Sequence, residues 1–103
     1  MRQFDVFKNP NVAGRNTAPY VMVMQSNLHK DLSTQVVAPL IVDTRIKDGG
    51  ALTPDFTIEG TKVRLDPTLM SAVHARSLRE LVVNLEEHHY RMIKAIDMLF
   101  TGV

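Results

Sequence analysis

Short apolar runs punctuated by turn-forming residues fill this chain as far as Asn84, and a single helical pattern fills the remainder. Gln3 to Phe7 alternates in polarity and predicts a first strand at a sheet edge. Asn9-Pro10-Asn11, Gly14 and Pro19 then favour turns or withhold backbone donors, so Lys8 to Pro19 reads as a loop. Tyr20 to Met24 is a continuous apolar run and reads as a well-buried strand. Ser26 to Thr34 is polar. Gln35 to Val42 is β-branched and predicts a strand, with Pro39 implying a bulge or an edge because proline cannot donate to a ladder. Asp48-Gly49-Gly50 reads as a turn. Phe56 to Ile58 and Lys62 to Leu65 flank Glu59-Gly60-Thr61 as a hairpin. Met70 to Ala75 suits another strand, and Ser77-Leu78-Arg79-Glu80 has the spacing of a capping box opening a short helical turn.

From Asn84 onward the period changes to that of a helix. Asn84 can cap, with Glu87 three residues on to reach back to it. Leu85, His89, Met92, Ile93, Ile96, Leu99 and Phe100 share one face. Glu87, Arg91, Lys94 and Asp97 take the wet side, where Glu87 and Arg91 are spaced to pair, and Gly102 is a stop. Phe100 on the apolar face should anchor the last turn, and its truncation to alanine should cost about 3–5 kcal/mol. Thr101 sits about 100° further round. Gly102 and Val103 should therefore be accessible, and their loss should leave stability almost unchanged. Short strands followed by one helix predict a mainly β domain over residues 1–103, a curled antiparallel sheet or small barrel with a C-terminal α-helix.

Composition narrows the function. The chain has 103 residues with a net charge of +1, a near-balance that argues against binding nucleic acid by bulk charge alone. Cysteine is absent, which removes disulfide and thiolate chemistry, and a structural zinc site is not expected from four histidines alone. No apolar stretch suffices to span a bilayer, and Met1-Arg2-Gln3-Phe4-Asp5 has no apolar signal region, so a cytoplasmic protein is expected.

Little convergent chemistry is visible. His88 and His89 are adjacent, and neighbours on a helix point about 100° apart, so they do not chelate one ion together. Glu86 and His89 have the Glu-x-x-His spacing of di-metal bundles, which need a second such helix. His29 and His74 are expected at the surface. Asp43, Asp48, Asp55 and Asp66 are spaced through turns, where aspartate is common for its local hydrogen bonding. No cofactor, metal or catalytic residue is assigned. A small β-barrel enzyme would rest only on His88-His89 and these aspartates. Methionine fills irregular cores and also suits adaptable contacts; most of the six read as core filling, Met98 off the main helical face is the exception, and Met22, Met24 and Met98 are the candidates for a subunit interface.

Four segments in order along the chain, Gln3-Phe4-Asp5-Val6-Phe7, Met24-Gln25-Ser26-Asn27, Val37-Ala38-Pro39-Leu40 and the run from Ile93 to Val103, carry a resemblance to the CcdB family of plasmid-maintenance toxins. Ile93-Lys94-Ala95-Ile96-Asp97-Met98-Leu99-Phe100-Thr101-Gly102-Val103 is similar to the family's helix and its Trp-Gly-Ile finish. Gln3-Phe4-Asp5-Val6-Phe7 resembles its first strand, Met24-Gln25-Ser26-Asn27 its Val-Gln-Ser-Asp, and Val37-Ala38-Pro39-Leu40 its Val-Ile-Pro-Leu. The matches lie in order along nearly the whole chain. The resemblance implies an SH3-like antiparallel barrel with a C-terminal helix, working as a homodimer without catalytic activity. It implies a toxin that binds the A subunit of DNA gyrase and traps it on cleaved DNA. It also implies a CcdA-like antitoxin that neutralises the toxin, and repression of the operon by the toxin–antitoxin complex, which alone meets operator DNA. The gyrase contact maps onto Thr101, Gly102 and Val103. Gly102 and Val103 fit the family's pattern, whereas Thr101 stands where the family has Trp. That departure admits an alternative, a non-toxic or retargeted relative serving as antitoxin partner or repressor component.

Overall fold

A computed structural model describes residues 1–42 and 50–102. Among them seven strands form one antiparallel sheet: β1 (Asp5–Lys8), β2 (Tyr20–Val23), β3 (Thr34–Val42), β4 (Asp55–Ile58), β5 (Thr61–Leu65), β6 (Ser71–His74) and β7 (Leu81–Asn84). One helix, α1 (His89–Thr101), follows. The spatial order is β4-β5-β3-β2-β1-β7, with β6 also paired to β3. The sheet curls into a half-barrel, so the expected mainly β fold with a terminal helix is what the chain adopts.

β3 is the spine of the sheet. It pairs with β2 along one side, and along the other with β6 through Thr34–Val37 and β5 through Leu40–Val42. Pro39 falls where β3 passes from β6 to β5. Its carbonyl accepts the amide of Asp66 (3.0 Å), so its donorless nitrogen faces that gap and no ladder bond to β2 is lost. Pro39 thus marks neither a bulge nor an outer edge. β1 is likewise interior, between β2 and β7. It was expected at an edge because β7, which covers it, was not recognised as a strand.

The run from Tyr20 to Met24 is apolar throughout because both faces of β2 are covered. Tyr20, Met22 and Met24 point into the main core with Val6, Leu40, Val63 and Leu65. Val21 and Val23 pack on the opposite face with Phe7, Val37 and Leu78. The hairpin between β4 and β5 turns through Glu59 (φ 51°) and Gly60 (φ 78°). Positive φ at both central residues is the type I′ geometry that matches strand twist. The Glu59 carboxylate accepts the Tyr20 hydroxyl at 2.8 Å, tying the hairpin tip to β2.

Burial, reinforced by the hydrogen bond to Glu59 and its negative charge, pushes the Tyr20 phenol up to about 12. Below about pH 10 the phenol is protonated in both folded and unfolded chains, and its contribution is complete. From about pH 10 to about 12 the unfolded chain ionises first, so stability should fall as pH rises. Urea unfolding at pH 9 and pH 11 should show a loss that Tyr20→Phe largely removes. An equal loss in the variant would place its cause elsewhere.

Two local expectations are corrected. Ser77 does not cap a helix: it ends a 3-10 turn (Ala75–Ser77), and its hydroxyl donates back to the His74 carbonyl at 2.6 Å. Asn84 closes β7, and its side-chain oxygen accepts the amide of Glu86 (2.8 Å) at the 3-10 turn Glu86–His88, while α1 begins only at His89. The Asn84 amide also donates to the Asp5 carboxylate (2.9 Å) and the Gln3 carbonyl (3.0 Å), fastening the chain's start to the approach of the helix. The expected turn at Asp48-Gly49-Gly50 lies outside the described residues except for Gly50.

Candidate functional site

α1 is fully buried at Met92 and Ala95, half-buried at Ile96, Met98 and Leu99, and exposed at Phe100 and Thr101. Ile96 packs on the same core as Met92. Ala95 matters by being small, since a longer side chain there would push the helix off the sheet. Arg91 lies over the Phe56 ring, 4.5 Å from its centroid, and donates to the Asp55 carbonyl (2.7 Å) and carboxylate (3.2 Å). The expected Glu87–Arg91 pair is therefore not made. Glu87 lies instead 3.5 Å from the His88 imidazole.

Phe100 was expected to anchor the last turn and does not. It is 70 % exposed, and Ile93, two turns earlier on the same flank, is 42 % exposed. Tyr90 extends this flank and is also exposed. Helical phase explains the error. The apolar residues of α1 from Ala95 round to Ile93 span an arc of about 160° at 100° per residue, wider than one docking face requires. The core takes the part centred on Met92 between Ala95 and Ile96, which leaves Ile93 and Phe100 outside it. That surplus width was readable in the sequence as a second contact surface. Phe100→Ala should change stability by no more than about 0.5 kcal/mol, as exposed substitutions do. A loss of several kcal/mol in urea titration would mean the ring packs against something the isolated chain does not show.

Beyond Phe100 the tip is open. Thr101 is exposed, and its hydroxyl donates to the Asp97 carbonyl at 2.6 Å. Gly102 caps the helix in the left-handed conformation (φ 76°), with its amide donating to the Met98 carbonyl at 3.0 Å. A Cβ placed on Gly102 would meet nothing within 4 Å. Thr101 and Gly102 are thus brought together on an accessible terminus, and Val103 lies outside the described residues.

A fixed helix offering its last turn, on a curled antiparallel sheet, is the arrangement the resemblance implied. The model of the family described as CcdB protein matches residues 3–102. The chain belongs to the CcdB family. No curated protein matches the chain. CcdB proteins are toxins of toxin–antitoxin systems and not a known enzyme family, so membership supports a toxin-type function.

The remaining candidates are placed as follows. Met22 and Met24 are buried inside the chain's own core, because alternation along β2 turns Tyr20, Met22 and Met24 inward together. Their side chains have almost no surface to offer a second copy, which corrects the expectation that they line a dimer interface. Met98 is half-buried on α1. His88 packs beside Phe56, with ring centroids 5.7 Å apart, and His89 stacks on Tyr90 at 4.1 Å. The two imidazoles thus have different neighbours. His29 and His74 are exposed. Among the described residues no group of three or more His, Asp or Glu side chains is placed to hold a metal ion. No helix among them is long and apolar enough to cross a membrane.

Proposed function

We propose that this chain, acting as one domain over residues 1–103, is the toxin of a type II toxin–antitoxin system. It binds the A subunit of DNA gyrase through its C-terminal tip and stabilises the enzyme on cleaved DNA. The observation that carries the proposal is the contrast along α1, where Met92 and Ala95 are fully buried while Phe100, Thr101 and Gly102 are exposed. A helix fixed at one end presents the other at a defined place, which lowers the ordering cost of binding. Gly102 lets a partner's backbone approach closely, and the Phe100 ring supplies apolar area of the kind that dominates interface energetics.

In this reading the toxin works in the cytoplasm as a homodimer. A CcdA-like antitoxin covers it, and the pair together represses the operon, so that operator DNA is met only through the complex. The exposed flank of Ile93 and Phe100 is the better candidate for a subunit or target contact than the buried methionines of β2, and Met98, half-buried, lies on another side of α1. A single-chain mass by light scattering at micromolar concentration would remove the dimer.

Thr101 favours a second reading, in which a relative that lacks the family's Trp has lost or changed its target and serves as an antitoxin partner or repressor component. Inducing the gene in a gyrase-sensitive bacterium separates the two. The toxin reading expects growth arrest with a DNA-damage response. Normal growth with abundant soluble protein would overturn it.

A further inference from the structure

The curled sheet does not close among the described residues. β4 and β7 end its spatial order, and each has one edge without a strand partner. Both border a single groove of about 460 Å³, with Phe56 and Val82 on its walls and Arg91 at its helix side. The two edges differ in kind. β7 is bulged against β1, with a register shift between Val6 and Phe7, which bends it away from regular pairing. β4 pairs with β5 in unbroken register.

The register of β4 shows which of its backbone groups are free. Ile58 and Thr61 flank the two-residue turn and are a hydrogen-bonded pair, so Thr57 opposite Lys62 is a non-bonded one. The Leu65 amide donating to the Pro54 carbonyl (3.0 Å) fixes the same parity from the other end. The N–H and C=O of Thr57 therefore point away from β5 along the open edge. Asp55 has the same orientation, and its carbonyl is already taken by Arg91. Natural edges are blunted by lysine, proline or a bulge, and Asp55-Phe56-Thr57-Ile58 has none of these.

The rim of the groove is acidic. Asp55, Glu59 and Glu87 line it against the single guanidinium of Arg91, which Asp55 already engages. Glu59 and Glu87 are exposed, with one oxygen of Glu59 accepting the Tyr20 hydroxyl and one of Glu87 beside the His88 imidazole. We propose that this groove takes an extended, lysine- or arginine-bearing segment of another protein, added as a strand to β4. The residue opposite Thr57 exchanges two backbone hydrogen bonds with it. Alternate side chains of the segment turn to the apolar wall at Phe56 and Val82, and those between them meet Glu59 and Glu87. The docking edge shares no residue with the C-terminal tip, so its test is independent of the gyrase reading.

The probes are two capped hexapeptides, Lys-Val-Lys-Val-Lys-Val and its counterpart with Glu for Lys, titrated into the isotopically labelled full chain. The lysine peptide should shift the Thr57 amide resonance and slow its exchange with solvent. The glutamate peptide should bind at least about tenfold more weakly, the equivalent of about 1.4 kcal/mol. Thr57→Pro removes the outward donor without touching a β5 bond, and should weaken the lysine peptide at least about tenfold with the circular dichroism unchanged. Glu87→Lys, on an exposed side chain, should weaken it several-fold and covers the case in which the proline variant fails to fold. The proposal is overturned if the lysine peptide leaves Thr57 undisturbed, if the two peptides bind equally, or if folded Thr57→Pro or Glu87→Lys binds like the wild type.

Discussion

Met92→Ala should lower the unfolding free energy by about 2–5 kcal/mol, the range for truncating a fully buried large side chain. Met92 is the one large residue of α1 with no accessible surface, and it meets the main core from outside the sheet. Its loss removes transfer energy and leaves a cavity between helix and sheet that the curled strands cannot easily close. For a domain of this size the loss is a large fraction of total stability. Because Met92 also holds the helix in place, a variant that still folds should show faster amide exchange along α1 than in β2 and β3. A change under about 1 kcal/mol in urea unfolding would mean that α1 contributes little to the fold. The tip would then not be rigidly presented.

The second large effect is expected at the tip itself. Thr101→Trp should raise the affinity for the gyrase A subunit by about 2 kcal/mol or more, roughly thirtyfold, if the tip is the contact surface. Tryptophan offers the greatest apolar area of any side chain and suits a partly wet interface. Position 101 is exposed, and the threonine hydroxyl there only bonds back to the Asp97 carbonyl within its own helix. The substitution should therefore leave stability within about 0.5 kcal/mol of the wild type. If the wild type is harmless and Thr101→Trp arrests growth, the missing ring accounts for the loss and the retargeted reading gains. If both arrest growth equally, Phe100 and Gly102 are enough. If neither does, the tip is not the contact.

Most of the architecture was legible because strand signals here are local. Glu59-Gly60 sits between two β-branched runs and needs positive φ at both residues, so the hairpin could be placed from sequence alone. β2 was legible as a buried strand for the same reason, and core filling for Met22 and Met24 follows from it, but burial on both faces leaves them nothing to give the subunit interface for which they were also candidates. Composition does not tell an inner face from an interface. β7 was missed because its four residues alternate exposed Leu81 and Val83 with half-buried neighbours, a weak pattern beside the stronger helical one that follows. The tip was legible in part. Thr101 and Gly102 followed from their helical phase and from the family resemblance. Phe100 was misread because phase fixes only direction, and the width of the docking face depends on where the sheet stops supporting the helix.

The proposed action of this CcdB-family chain on gyrase is placed at its C-terminal tip, and it can be tested with purified components. The most direct measurement is a DNA-cleavage assay with purified gyrase, supercoiled plasmid and the purified chain. Linear DNA released after protein digestion should accumulate with the full chain. It should fall to background with a variant lacking Gly102 and Val103 whose folding is verified by circular dichroism. A folded full chain that neither binds the gyrase A subunit nor raises linear DNA above background would contradict the account, as would a truncated chain that poisons gyrase equally well.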